Sequence, residues 1–166
     1  TRDLIALGTA QVVALTTTQV QQGLTTAQVA SLTTTQVGAL TTSQVQQGLS
    51  TAQVVALTTA QVQKGLTTDQ VVALSTAQVA ALETRDVAAL TTTQVAALTT
   101  TQVQQGLSTG QVVALTTAQA QQGLTTAQVQ ALSTAQVAAM ETRDLIALGT
   151  AQVVALTTTQ VQQGLT

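Results

Sequence analysis

A branched apolar residue returns every eight or nine positions along the whole chain. Leu marks it from Leu7 and Leu15 to Leu156 and Leu165, with Met140 as the one substitute. Read from these markers, the 166 residues are 20 copies of one unit, T-T-x-Q-V-x-x-L, the first lacking its first residue. A fixed short period is the mark of a stacked repeat architecture, because no single unit can bury its own apolar face. Position two is Thr in all 20 copies. Position four is Gln in 17 and Asp in three, and position five is Val in 17. Six copies have nine residues and end Q-Q-G-L or Q-K-G-L, with Gly23, Gly48, Gly65, Gly106, Gly123 and Gly164. Residues 1–25 and 142–166 are identical. The chain starts one residue into a copy and stops one residue into another. Residues 1–166 therefore read as a single uninterrupted array, with no linker inside it, cut as a window from a longer one.

Position by position, the unit reads as a short helix. Position one is Thr, Ser or Gly in most copies, the residues that cap a helix N-terminus by satisfying its free amide groups. Gln follows three residues on, completing a capping box in which the Gln side chain reaches back to the cap amide. Thr16 with Gln19, Thr58 with Gln61 and Thr91 with Gln94 are representative cap pairs. Ala, Gln and Leu fill the rest, all good helix formers, and the chain contains no Pro. Val and Leu, three apart, share one helical face. Core pairs are therefore expected at Val12 and Leu15, Val20 and Leu24, Val54 and Leu57, Val95 and Leu98, and Val153 and Leu156.

One continuous helix does not fit. At about 100° per residue an eight-residue step turns the Leu stripe by roughly 80°, so it would wrap around the rod. Neither a heptad nor an eleven-residue repeat fits either. Each unit instead starts a new two-turn helix. The expected architecture is all-α: a solenoid, or superhelical coil, of very short capped helices of eight to nine residues. The chain turns at every Leu-Thr junction, and the Val/Leu face lines a narrow axis that needs no aromatic ring. Two or three helices per coil turn fit this picture. In the nine-residue copies the extra Gly suits a left-handed C-terminal position. A β-solenoid is the alternative, since Thr and Val favour strands. Against it, the unit lacks turn-forming corners, and positions five and eight would face opposite sides of a strand.

The composition removes most chemistry. There is no His, Cys, Phe, Tyr or Trp, and charged residues make up 6% of the chain. Without thiol or imidazole no zinc site, disulfide or usual nucleophile–base pair can be assembled. No catalytic residue, metal, cofactor or enzyme activity is expected. Four basic residues against six acidic ones cannot hold a phosphate backbone, so no nucleic acid is expected as a partner. The longest apolar runs, such as Val12–Leu15, fall far short of the roughly 20 residues that span a bilayer.

Three units depart from the pattern by reading T-R-D, at 1–3, 84–86 and 142–144, the last two preceded by Glu83 and Glu141. Two readings stand side by side. Asp86 and Asp144 complement the helix dipole as capping variants. Alternatively Glu83, Arg85, Asp86, Glu141, Arg143 and Asp144 form contacts between chains or meet a hard cation, although calcium needs about six to eight oxygens.

The segment Leu49–Leu57, L-S-T-A-Q-V-V-A-L, resembles the first helix of TAL-effector repeats, L-T-P-E-Q-V-V-A-I. The likeness implies a helix and no DNA binding, because the second helix, the base-reading loop and the longer period of those repeats are absent. Over its whole length the chain resembles the T-T-x-Q-V-x-x-L arrays of very large repetitive bacterial secreted and surface proteins. That resemblance implies an extracellular or cell-surface fibre, stalk or adhesin segment. Self-assembly into a structural fibre is the leading expectation, with the chain itself as partner. Two alternatives are an adhesin spacer or binding scaffold, and a Thr array that binds ice or another surface.

Overall fold

A computed structural model describes residues 6–165. Among them there is no strand; every unit from the second on forms one short helix, so the β-solenoid is excluded. The α-helices are five to seven residues long and begin at the position-two Thr, as in Thr26–Ser31, Thr76–Ala81 and Thr92–Ala97. Position one is extended and caps the helix. Thr91 has φ −69° and ψ 157°, and its side chain accepts from the Gln94 amide. The closing Leu is extended as well (Leu90 φ −53°, ψ 140°). Two successive extended residues, Leu and Thr, therefore turn the chain between helices, where the sequence placed the junction.

Each helix packs on the helix three units away in both directions: Thr68–Ala73 lies against Thr92–Ala97, and Thr109–Val113 against Thr134–Ala139. Hydrogen bonds reach one unit further, to the fourth. Packing on the third neighbour makes about three units per turn, within the two or three expected. Three helices in a ring leave an axis just wide enough for one Val from each. From Val12 to Val137 the position-five residues are at most 1% exposed, and Ala120 fills the same place. The position-eight residues Leu32 to Leu148 flank them and are nearly as buried. Of the expected core, Val12, Val20, Val54, Leu57, Val95 and Leu98 are buried, and Leu15, Leu24 and Leu156 pack partly against them. Val153 is an exception at 50% exposure. Its unit is second from last, and the helix that would cover it, three units on, is not part of the chain.

The nine-residue units hold the main surprise. No glycine among the described residues has positive φ, so the left-handed C-terminal position is not used. In five of the six the extra residue is instead taken up inside the helix as a π-helical turn, as at Gln44–Gly48, Gln61–Gly65 and Gln102–Gly106, whereas the last, Thr158–Gly164, stays α-helical. The ladder widens there: the Leu107 N–H donates to the Gln102 carbonyl at 3.0 Å, five residues back. A single widened turn absorbs one residue without disturbing either end of the helix. Glycine is needed for proximity rather than for dihedral freedom. A Cβ on Gly106 would sit 3.1 Å from Val79 Cβ, and one on Gly123 would sit 3.1 Å from Val95 Cβ, each three units back. The wide turn presses its backbone onto the axial Val of the turn below.

Two glycines make opposite predictions. Gly106→Ala overpacks this contact and should destabilise the chain by about 1–3 kcal/mol, although Ala is the better helix former. Gly110 lies in the helix Thr109–Val113, and its nearest neighbour to an added Cβ is Ser108 Oγ at 4.0 Å. Gly110→Ala should therefore stabilise by roughly 0.5–1 kcal/mol. Urea unfolding of the two variants, followed by helical circular dichroism, checks the difference in sign.

Candidate functional site

The one feature with chemical work to do is the position-four glutamine. Its first role is local. In the three representative caps the Gln19, Gln61 and Gln94 Oε1 atoms accept from the Thr16, Thr58 and Thr91 amides at 2.8, 2.7 and 2.8 Å. The Thr hydroxyls accept in return from the Gln amides at 3.1–3.2 Å. The capping box foreseen in the sequence is thus complete.

The second role joins the turns. From Gln44 onward each position-four Nε2 also reaches the unit four back, where it donates to the carbonyls of positions five and eight. Gln94 Nε2 meets the Val62 carbonyl at 2.9 Å and the Leu66 carbonyl at 2.7 Å. Gln61 meets Val29 and Leu32 at 2.9 and 2.7 Å, and Gln128 meets Val95 and Leu98 at 2.8 and 2.6 Å. These side chains are buried, with Gln61 and Gln128 both 2% exposed. A primary amide has two N–H donors and one oxygen with two lone pairs. Here both donors go down to the previous turn, while the oxygen stays with its own cap. The receiving Leu carbonyls end a short helix and would otherwise be orphaned in the interior, while position-five carbonyls such as those of Val29 and Val95 already accept from the Leu32 and Leu98 N–H groups at 3.1 Å and gain a second donor.

The clamp runs in one direction. Donors point toward the N-terminal end of the coil and acceptors toward the C-terminal end. Gln11 and Gln19 are exposed and Gln28 half-buried, because no unit lies four before them in the chain. At the other end Val153 and Val161 are about half exposed. No glutamine follows to clamp the carbonyls of the last four units.

In the charged T-R-D units Asp86 and Asp144 lie in the first helical turn, as the dipole reading expects, and make a further contact that it did not foresee. Glu83 and Asp86 flank one guanidinium, Arg85 Nε lying 2.7 Å from Glu83 and 3.8 Å from Asp86. Glu83 stays at the surface and pairs with Arg85 Nε at 2.7 Å; Glu141 does the same with Arg143. Exposed pairs of this kind contribute little to stability. Asp86 and Asp144 turn inward and are 0% and 2% exposed. As contacts between chains these two are therefore corrected: burial in their own coil puts them out of reach, and only Glu83, Arg85, Glu141 and Arg143 face outward. Asp86 also does not complete a capping box, since Glu83 makes no side-chain cap bond. It sits in the first turn as the dipole argument requires, but its Oδ1 accepts from Thr59 Oγ1 of the turn below at 2.7 Å, and Asp144 accepts from Thr117 likewise. The T-R-D copy at 1–3 lies outside the described residues.

Among the described residues no group of His, Cys, Asp or Glu is large enough to form a metal cluster by itself, and no helix is long and apolar enough to cross a membrane. One shallow hollow of about 460 Å³ is lined by Met140, Leu145, Ile146 and Leu165 at the last turn; it is the open end of the coil.

Replacing the clamp shows what it is for. Gln94→Ala orphans the Val62 and Leu66 carbonyls and should cost about 1–3 kcal/mol. Gln94→Glu keeps the capping acceptor but sets a carboxylate against those carbonyls, and should cost more than Gln94→Ala at neutral pH. An isolated capping-box peptide would show the reverse order, because Glu serves that motif as well as Gln. Chemical denaturation of the two variants distinguishes the inter-turn role from the local one.

Sequence comparison agrees with this architecture. The ALTTAQ repeat family model matches residues 1–34, 79–117 and 137–166, more than half of the chain. No curated protein and no solved structure matches it. The chain, a tandem array of clamped helical units, belongs to the ALTTAQ repeat family.

Proposed function

We propose that the array is a structural, self-assembling element that builds an extracellular or cell-surface fibre or stalk. The observation that carries this reading is the direction of the clamp. One end of the coil offers the Gln11, Gln19 and Gln28 amides without a turn below them. The other offers helix-terminal carbonyls and the half-exposed Val153 and Val161 without a turn above. These are the two halves of the joint that every internal turn makes. The same joint continues the coil within a longer chain or adds a second copy to it.

Composition supports the extracellular setting. The chain has no Cys to mispair during export, and its four Lys and Arg residues give trypsin-like proteases few sites. The absence of His, Cys and Tyr argues for a mechanical rather than a catalytic task.

Electron microscopy and light scattering test the reading. The purified 166-residue chain should grow, as concentration rises, into threads one coil wide. The triple variant Gln11→Glu, Gln19→Glu and Gln28→Glu retains the capping boxes but turns carboxylates toward the incoming carbonyls. It should remain monomeric with an unchanged circular dichroism spectrum. A wild-type chain that stays monodisperse at high concentration overturns the fibre and leaves the spacer role.

A further inference from the structure

Every clamp places two N–H groups between a Val and a Leu carbonyl of the unit four back. Gln78 serves Val45 and Leu49, and Gln94 serves Val62 and Leu66. The pair between them in the same register is Val54 and Leu57, and the residue due to serve it is Asp86. A carboxylate has no N–H to give. Its Oδ1 accepts from the Thr59 hydroxyl at 2.7 Å. Its Oδ2 is buried and has no hydrogen-bond partner at all. Arg85 Nε stands 3.8 Å from Oδ1, beyond hydrogen-bonding distance, on a side chain that is 65% exposed. The Leu57 N–H still donates to the Val54 carbonyl at 3.1 Å, but the two side-chain N–H groups that a clamp supplies are missing, and formal negative charge has taken their place.

The same register occurs twice, although the buried, wholly unpartnered oxygen is that of Asp86. Gln136 clamps Val103 and Leu107, and Gln152 clamps Ala120 and Leu124. Val112 and Leu115 lie between them in register, opposite Asp144, whose Oδ1 is held by Thr117 at 2.7 Å. Both copies have the same parts: a nine-residue unit three back that supplies the Thr, and an S-T-x-Q-V-V-A-L unit four back that supplies the carbonyls.

We propose that Asp86 with the Val54 and Leu57 carbonyls, and Asp144 with the Val112 and Leu115 carbonyls, form two oxygen-only sites for a small hard cation that bridges successive turns. Hard cations bind carboxylate and backbone carbonyl oxygens and retain water at the remaining positions. A bound cation supplies the positive charge that the amide N–H groups supply in the other units. The Thr hydroxyl leaves Oδ2 as the coordinating oxygen by fixing Oδ1. Asp is one methylene shorter than Gln, which leaves room for the ion. The site differs from a pairing of Glu83 with Asp86, because its ligands come from two turns of the coil.

Thermal unfolding of the full chain at pH 7 and constant ionic strength tests this in three salts. Tetramethylammonium chloride provides an ion too large to enter, while sodium and calcium chloride provide the two candidate ions. A saturable rise of the midpoint by about 2–4 °C in one of the latter is expected, and the salt that produces it identifies the ion. The double variant Asp86→Gln and Asp144→Gln restores two clamps. It should be more stable than wild type in tetramethylammonium and should lose the cation response. Equal wild-type midpoints in all three salts overturn the proposal. So does a rise that the double variant shares. Stabilisation of the wild type on acidification alone, with no difference between salts, also overturns it, because a proton would then bridge the carboxyl to the carbonyls.

Discussion

The fold depends on one side-chain amide performing two tasks at once. A capping box by itself gives an isolated two-turn helix, which is unstable in water. A Val and a Leu packed on an axis give burial without direction. The position-four glutamine combines the two, because its oxygen finishes the helix it belongs to and its nitrogen finishes the helix end one turn below. The energetic value of each clamp lies mainly in removing a penalty. Buried helix-terminal carbonyls are expensive to leave unpaired, and a coil of five- to seven-residue helices has one set of them per unit. Each missing clamp would add that penalty once, so the loss accumulates along the coil.

Much of this was legible in the sequence. The period, the N-caps, the Val/Leu core and the turn at each Leu-Thr junction follow from local rules and are all present. The clamp was not read, although it left a trace. A capping box accepts Glu or Gln equally, yet 17 of the 20 copies carry Gln at position four and none carries Glu. Such one-sided use means that something requires a donor, and only a partner outside the unit can require it. The number of helices per turn was not readable for a related reason. It is set by how many helices close around an axial Val and by how far a Gln can reach, both properties of packing between units. Val153 was misjudged through periodicity alone: its residue type predicts burial, but its covering helix lies outside the chain.

The nine-residue units show where local reasoning chose the wrong mechanism. Glycine near a helix end suggests a left-handed cap, since that is its common use. The coil cannot accept that cap without displacing the following Leu. A π turn keeps Leu49, Leu66, Leu107 and Leu124 bonded at 2.8–3.0 Å to the residue five back, and so holds both helix ends in register. The backbone bulge then needs space, and the missing Cβ supplies it against Val20, Val37, Val79 and Val95. Mixing eight- and nine-residue units is therefore a way to adjust chain length per turn while every clamp stays closed.

Local closure also determines how such a chain folds and grows. The clamp bonds from Gln44 onward span only 28 to 33 residues in sequence, and helix packing reaches only the third neighbour. Among the described residues no helix contact ties one end of the array to the other, so stability accumulates unit by unit, as in other solenoids. The first four units form without any clamp, and each later glutamine unit adds one clamp and one covered Val at nearly constant benefit. The early turns are the costly nucleus and the rest is propagation. At a free end the next unit meets the same donors or acceptors whether it arrives on the same chain or on another. The array lengthens for the same reason that it folds, and only a unit that lacks the amide, as at Asp86 and Asp144, changes what the next turn must supply.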